Sequence, residues 1–266
     1  MLQALQRTAL SGPALIRLLA RLVDVDVPES RQSLSDRLSQ WLGWTDAIAL
    51  SSALTGAPPA LPAGARAFGS AEEAECARVR ASLVKTITGD SAFATTRRRG
   101  PHGAPHGASV DTPAAPADYA LFRQRYQAMQ QSMETGVGNL RGRLRAMLAA
   151  KTPAMGRLAV LDAVMERALG ERERNLFATV PGLLAGHFER LRDAAQAAEA
   201  PPDNAAQAES GMAAGAESVA VAAAAQPSAS GAWLDVFRKD MQSVLLAELD
   251  VRLQPVEGLL AALRTR

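Results

Sequence analysis

The sequence predicts an all-α protein with a small N-terminal helical unit and an elongated bundle of long amphipathic, coiled-coil-like helices. Apolar residues recur three and four positions apart across residues 118–191, which is the period of an α-helix. Good helix formers dominate a composition in which aromatic residues contribute 4% and apolar residues 48% of the chain. Long runs of β-branched residues, which are typical of strands, are absent from the sequence.

Short helices are predicted in the first 90 residues, and the fourth of them opens with a capping box of Ser70 and Glu73. Because the breaks between the first three helices are brief, we expect these helices to form one compact unit. Trp41 and Trp44 lie where the second helix gives way to the third, and they are candidate partner-binding residues. The alternative is that both tryptophans pack in the core of this unit.

Two long helices are predicted between residues 118 and 198, with a break at Pro153. The first has an apolar stripe made of Phe122, Tyr126, Met129, Met133, Val137, Leu140, Leu144 and Met147. The second has a stripe made of Leu158, Leu161, Met165, Leu169, Leu176, Val180, Leu184, Phe188 and Leu191. Each stripe must be buried against the other helix or a further element. Pro181 should kink the second helix or begin a new one.

Three glycines, Gly136, Gly138 and Gly142, lie inside the first of these long helices. A glycine in a helix interior is destabilising by roughly 1 kcal/mol relative to alanine. Their presence therefore indicates either a close approach of another helix or a bend near Val137.

A third long helix is predicted in the C-terminal segment, residues 232–266. Its wide apolar face consists of Trp233, Phe237, Met241, Val244, Leu245, Leu249, Leu253, Val256, Leu260 and Leu263. Pro255 should bend this helix. Since an apolar face of this width needs a partner, we expect the helix to pack back on the hairpin of residues 118–198 as the third member of the bundle.

Two segments between these helical regions have a different composition. Residues 91–117 contain three consecutive arginines and a Pro-His-Gly-Ala repeat, and residues 199–231 are rich in alanine, serine and glycine. Neither composition provides enough apolar burial to offset the conformational entropy lost on ordering, so both segments are predicted to be disordered linkers. The expected organisation is a helical unit (1–90), a basic Pro-Gly linker (91–117), a helical hairpin (118–198), an Ala-rich linker (199–231) and a C-terminal helix (232–266).

Charge and cysteine content restrict the environment of the protein. The net charge is +2, from 29 basic and 27 acidic residues, which does not by itself argue for nucleic acid. Cys76 is the single cysteine, which fits a reducing compartment, and Glu73 and Glu75 should raise the pKa of its thiol. The sequence predicts no transmembrane segment and no secretory signal, since arginines interrupt the apolar residues near the N-terminus. We therefore expect a cytoplasmic protein.

Catalytic and cofactor motifs are missing, so the sequence predicts a non-enzymatic protein with no cofactor and no metal site. His102 and His106 are four residues apart in a Pro-Gly segment without a preorganised third ligand. His187 is interpreted as a packed or surface residue. Asp24 and Asp26 are interpreted as an interhelix turn rather than a metal-binding pair.

Arg141, Arg143 and Arg145 are a candidate basic patch on the first long helix. The functional interpretation is a surface that binds nucleic acid or anionic lipid. The alternative is a solvated face with intrahelical ion pairs. Base-stacking aromatic residues do not alternate with these arginines, which argues against nucleic acid.

Three segments carry a family resemblance: SGPALIRLLARLVDVDVPESRQSLSDRLSQWLGWTDAIALSSAL, LDAVMERALGERERNLFATVPGLL and WLDVFRKDMQSVLLAELDVRLQPVEGLLAAL. Together they resemble an uncharacterised proteobacterial family known only as a domain of unknown function. The shared motifs are helix faces and caps, so the resemblance implies no functional residue. Such proteins tend to be encoded beside envelope proteins, which implies an accessory role near the inner membrane.

We therefore expect an uncharacterised helical interaction or scaffold protein that binds a protein partner. The resemblance implies an envelope-associated partner and a peripheral position at the inner membrane. The long helices also offer a surface for homo-oligomers. The alternative is a basic helical protein that binds nucleic acid or an anionic membrane surface, which a steep fall of DNA affinity with salt would favour.

Overall fold

A computed structural model describes residues 13–26, 32–56, 68–93, 118–199 and 229–265. These residues form seven α-helices and no strand: α1 (Ala14–Val23), α2 (Leu34–Trp41), α3 (Trp44–Thr55), α4 (Ser70–Thr88), α5 (Tyr119–Lys151), α6 (Pro153–Glu199) and α7 (Ala229–Arg264). The predicted all-α fold class is therefore confirmed. Most of the two predicted linkers, residues 94–117 and 200–228, lies outside the described residues.

A single residue, Thr152, separates α5 from α6. α5 begins after Asp118, whose side chain accepts a hydrogen bond from the backbone N–H of Ala120 at 2.8 Å. The hydroxyl of Thr152 accepts a hydrogen bond from the backbone N–H of Met155 at 3.2 Å and so satisfies a donor in the first turn of α6. Pro153 occupies the first position of α6, where a missing N–H is tolerated. From there α6 continues for 47 residues, or about 70 Å.

α5, α6 and α7 form a bundle in which each helix packs along the other two. α5 buries Phe122, Tyr126, Met129, Met133, Val137, Leu140, Leu144 and Leu148. This stripe differs from the predicted one only at its end, where Leu148 is buried in place of Met147. α7 buries Phe237, Met241, Val244, Leu245, Leu249, Leu253, Val256, Leu259 and Leu263. Burial of these stripes is the main stabilising contribution, at roughly 25 cal/mol per Å² of apolar surface.

The apolar residues of α6 are distributed differently from the prediction. Its buried residues in the C-terminal half include Phe177, Val180, Leu184 and Phe188. Leu176, which the periodicity placed in the same stripe, is 59% exposed. α6 packs on α1 and α3 in addition to α5 and α7, so its apolar residues do not all lie on one buried face.

Three of the four short helices, α1, α3 and α4, pack on the long helices of the bundle. α1 packs on α6 and α7, α3 packs on α6, and α4 packs on α5 and α7.

The cap of α4 lies one residue earlier than predicted. The backbone N–H of Gly69 donates to the carboxylate of Glu72 at 2.9 Å, so Glu72 replaces Glu73 in this role. Ser70 is the first helical residue rather than the cap. The interaction satisfies one of the donors that a helix start leaves unpaired.

Of the three glycines inside α5, Gly136 marks a close approach of α4. A Cβ atom at Gly136 would lie 3.4 Å from the nearest side-chain atom of Leu83, which is tight contact. The corresponding position at Gly138 has no atom within 4 Å, and at Gly142 the nearest is an arginine side chain at 3.9 Å. The close-approach interpretation therefore holds for Gly136 alone.

Candidate functional site

The two tryptophans predicted to bind a partner lie in different environments. Trp41 ends α2 and is half-buried, and the guanidinium group of Arg172 on α6 lies 5.3 Å from the centre of its ring. Trp44 begins α3 and is 82% exposed, which excludes core packing for this residue. The start of α3 is fixed by Asp46, whose carboxylate accepts a hydrogen bond from the backbone N–H of Gly43 at 3.1 Å.

Trp41 borders a groove of about 490 Å³ between α1, α2 and α6. We call it the apolar groove and define it by three exposed wall residues, Ile16, Leu176 and Leu183, with Trp41 at one edge. These three wall residues are 40%, 59% and 38% exposed, whereas Phe177 on the floor is buried in the bundle core. Clustered exposed apolar side chains of this kind are typical of interaction surfaces.

The three arginines of the predicted basic patch are matched by carboxylates. Arg141 binds Asp162 with two hydrogen bonds of 2.9 and 2.7 Å, the bidentate arrangement favoured by guanidinium groups. Arg145 pairs with Asp162 at 3.2 Å and also with Glu166. Arg143 pairs with a carboxylate of α4. These ion pairs join different helices, whereas the solvated-face interpretation placed them within α5, and they neutralise the charge of the patch.

A buried ion pair, which the sequence analysis missed, lies at the centre of the bundle. Glu248 and Arg252 of α7 are in contact at 2.8 Å, and Glu248 has no exposed surface. The hydroxyl of Tyr126 donates to the Glu248 carboxylate at 2.8 Å, and the side-chain amide of Gln130 donates to it at 3.1 Å. α7 thus supplies both charges of this buried network, and α5 supplies two neutral donors.

Pro181 accounts for a further contact of this network. It lies inside α6 without ending the helix. Because proline has no N–H, the carbonyl of Phe177 four residues earlier has no helical donor. The amide of Gln130 donates to that carbonyl at 3.0 Å. The guanidinium carbon of Arg252 lies 4.1 Å from the centre of the Phe177 ring, so Phe177 both forms the groove floor and covers the buried ion pair.

The hydrogen bonds of the buried network hold α5 and α7 together. Burial raises the pKa of Tyr126 well above its ordinary value, and the negative charge of Glu248 and its hydrogen bond raise it further. Tyr126 therefore remains a neutral donor, and the enclosed carboxylate cannot reach a substrate. Glu248 and Arg252 are four residues apart between Leu245 and Leu253 on the apolar face of α7. Two charges at helical spacing within an apolar stripe are the sequence signal that could have identified this network.

Two other candidate residues, His187 and Cys76, are buried in the interior. His187 is buried and lies 2.9 Å from a carboxylate of α7. Burial raises the pKa of the Cys76 thiol, and the charge of Glu75 raises it further, which does not favour a nucleophile. The described part of the chain contains no group of three potential metal ligands. His102 and His106 lie outside that part.

No helix in the described ranges combines the length and the apolar character needed to cross a membrane. Comparison with curated proteins found no match, and comparison with solved structures found none. A family model described as "Protein of unknown function (DUF3348)" matches residues 1–265. This match confirms the resemblance to an uncharacterised family of unknown function. The chain therefore belongs to the DUF3348 family.

Proposed function

We propose that this protein is a helical interaction protein that binds a protein partner in the apolar groove and acts as a scaffold rather than as an enzyme. The observation that supports the proposal is the exposure of Ile16, Leu176 and Leu183 around one groove, on two different helices. Burying such side chains against a partner removes apolar surface from water and stabilises the complex. Helix-lined apolar grooves bind partner segments in this way.

Trp44 is an exposed aromatic residue close to the groove along the chain. It follows Trp41, which borders the groove, by three residues, so the chain separation is at most about 11 Å. Its side chain is exposed and available for contact. Tryptophan is among the residues that contribute most to the affinity of protein interfaces.

The alternative function, binding of nucleic acid or an anionic membrane surface, has less support. Such binding depends on cationic side chains that replace counterions at phosphate groups. The carboxylates of α4 and α6 already pair with Arg141, Arg143 and Arg145. We therefore favour a protein partner.

The proposal is tested by a substitution in the groove and a matched substitution outside it. Leu176→Asp introduces a charge into the apolar groove, whereas Leu121→Asp makes the same change at a residue of α5 that is 67% exposed and does not line the groove. Tagged full-length variants are expressed in the source organism, and the proteins recovered with them are compared by quantitative mass spectrometry.

We expect Leu176→Asp to reduce recovery of a specific partner by about tenfold or more, because a charge is buried in the contact. Leu121→Asp should recover that partner as the unsubstituted protein does. The family resemblance implies that the partner is envelope-associated. Equal recovery with the two variants would contradict the proposed function.

A further inference from the structure

The two halves of α4 are held to the bundle in different ways. In the C-terminal half and the turn that follows it, four residues are buried: Leu83, Ile87, Asp90 and Phe93. In residues 70–80, which we call the N-terminal half of α4, Cys76 is the only buried residue. Since burial of apolar side chains is the main source of stability for a packed helix, the N-terminal half is the more weakly held part of α4.

A cavity of about 420 Å³ lies between the N-terminal half of α4 and the bundle. Cys76 and Ala77 line it on the side of α4. Apolar residues of α5 and α7 line it on the side of the bundle: Leu140, Leu253, Val256 and Leu260. Protein interiors are normally packed without voids of this size, and side chains that face a void lose dispersion contacts. Apolar packing therefore contributes little to holding this half of the helix.

Exposed ion pairs join the N-terminal half of α4 to its neighbours α5 and α7. They are Arg80 with Asp250, Arg80 with Glu257, Glu73 with Arg264, and Glu75 with Arg143. The nitrogen–oxygen distances of the first three pairs are 2.7, 2.9 and 2.7 Å. Every side chain in these pairs is at least 40% exposed. Because salt screens exposed ion pairs, this attachment weakens as ionic strength rises.

We propose that the N-terminal half of α4 is a flap that opens locally as ionic strength rises, and that its opening exposes Cys76 and the apolar cavity wall. The C-terminal half stays on the bundle as the hinge, because its contacts are buried. The carboxylate of Asp90 accepts a hydrogen bond from Arg125 at 2.5 Å, and the amide of Gln242 donates to the carbonyl of Ile87 at 3.4 Å. Local opening of this kind requires less free energy than global unfolding. The inference goes beyond the proposed function and does not depend on the apolar groove.

Cys76 is the single cysteine of the sequence, so its modification reports on the opening. The full-length protein is treated with N-ethylmaleimide, an uncharged thiol reagent, at constant pH and increasing concentrations of sodium chloride. Each modification rate is divided by the rate for the urea-unfolded chain at the same salt concentration, which removes the effect of salt on the thiol itself. We expect this ratio to rise about tenfold between about 0.02 and 0.5 M salt, because the ion pairs are screened over this range. Urea denaturation should show no matching fall in the free energy of unfolding.

Arg80→Gln removes two of the exposed ion pairs, and Arg174→Gln is the matched control. Arg174 forms an exposed ion pair with Glu134 that joins α6 to α5 and does not involve α4. Arg80 is not among the charges that shift the pKa of the Cys76 thiol, so a change in rate reports on opening rather than on thiol reactivity. At low salt we expect Arg80→Gln to raise the rate ratio about fivefold or more and to weaken its salt dependence. Arg174→Gln should behave as the unsubstituted protein does.

Three outcomes would overturn the inference. The first is a rate ratio that does not change with salt, or that changes equally for Arg80→Gln and Arg174→Gln. The second is a rise in the ratio that matches a fall in the free energy of unfolding, because Cys76 would then react only after global unfolding. The third is modification as fast as in the unfolded chain at every salt concentration, which would show that α4 does not cover the thiol. None of these results bears on partner binding in the apolar groove.

Discussion

The two sides of α6 differ in how far their apolar side chains are exposed to water. Toward α5 and α7, apolar side chains are buried, and even the charges of Glu248 and Arg252 are enclosed with hydrogen-bonding partners. Toward α1 and α2, Leu176 and Leu183 remain exposed around the apolar groove. Phe177 lies between the two sides and contacts both. The comparison indicates that the buried network supports the bundle, whereas the groove is available for a partner, so different substitutions should affect stability and binding.

The largest expected effect follows from breaking the buried ion pair. Arg252→Met leaves the carboxylate of Glu248 buried without its cation, and we expect the free energy of unfolding to fall by about 3–5 kcal/mol. Urea denaturation followed by circular dichroism measures this change. A loss below about 1 kcal/mol, the usual range for an exposed ion pair, would show that the network does not support the bundle.

The double variant Glu248→Leu with Arg252→Met is the matched control. It removes both charges and keeps similar side-chain volume, so most of the lost stability should return. Failure to recover would mean that the loss comes from side-chain packing, or from the donors of Tyr126 and Gln130 that the double variant leaves without an acceptor, rather than from the unpaired charge.

A smaller effect is expected at the contact between α5 and α6. Gln130→Leu removes a donor from the carbonyl of Phe177 and from Glu248, and we expect the free energy of unfolding to fall by about 1–3 kcal/mol. In a Pro181→Ala background the helix supplies its own N–H to Phe177, so the same substitution should be less destabilising. Equal losses in the two backgrounds, measured by urea denaturation, would disprove the link between Pro181 and Gln130.

The pH dependence of stability sharpens the distinction between the buried side and the exposed side. Burial raises the pKa of Tyr119 from 10.0 to about 12, partly offset by the charge of Arg123, and that of Tyr126 is raised well above its ordinary value. The unfolded chain therefore loses these protons near pH 10 while the folded protein keeps them. Stability from these groups is fully present below pH 10 and decreases as pH rises through the folded pKa values.

These are the two tyrosines of the sequence, so tyrosinate absorbance reports on both. In the folded protein we expect the absorbance to rise well above pH 10, and in the urea-unfolded chain to rise near pH 10. Tyr119→Phe and Tyr126→Phe assign the two steps. A folded protein in which either tyrosine titrates near pH 10 would contradict the burial described for that residue.

The smallest effect on stability is expected in the groove. Leu176→Asp changes an exposed side chain, and we expect the free energy of unfolding to stay within about 0.5 kcal/mol of the parent. The control Leu121→Asp should behave in the same way. A large loss of stability from Leu176→Asp alone would indicate that this residue is needed for folding and not kept for a partner.

The fold class and the interior of α5 were predictable because the apolar period of α5 is regular. The one difference in α5 is that Leu148 is buried in place of Met147. It occurs after Leu144, where the helical period allows the next buried residue to lie either three or four positions further on. The α6 stripe was less predictable, since α6 packs on α1 and α3 as well as on α5 and α7, and its apolar residues do not lie on one face. Periodicity places Leu176 and Val180 on one helical stripe, but it cannot show that α1 and α2 leave the former open to water.

The candidate site needed the positions of several helices. Trp41 and Trp44 were identified as candidates from the sequence, but the groove beside Trp41 is formed by residues more than 100 positions apart. The buried network likewise joins Tyr126 and Gln130 to residues of α7, and no local pattern reports that proximity. Composition alone also could not show that the arginines of α5 have carboxylate partners on α4 and α6.

The central claim is that the apolar groove serves binding and not folding. Its most direct test measures the free energy of unfolding and the partner recovery of Leu176→Asp in the same preparation, with Leu121→Asp alongside. We predict unchanged stability for both variants, with recovery lowered about tenfold or more only for Leu176→Asp. Parent-level recovery with Leu176→Asp, or a recovery that falls only because the variant unfolds, would contradict the claim.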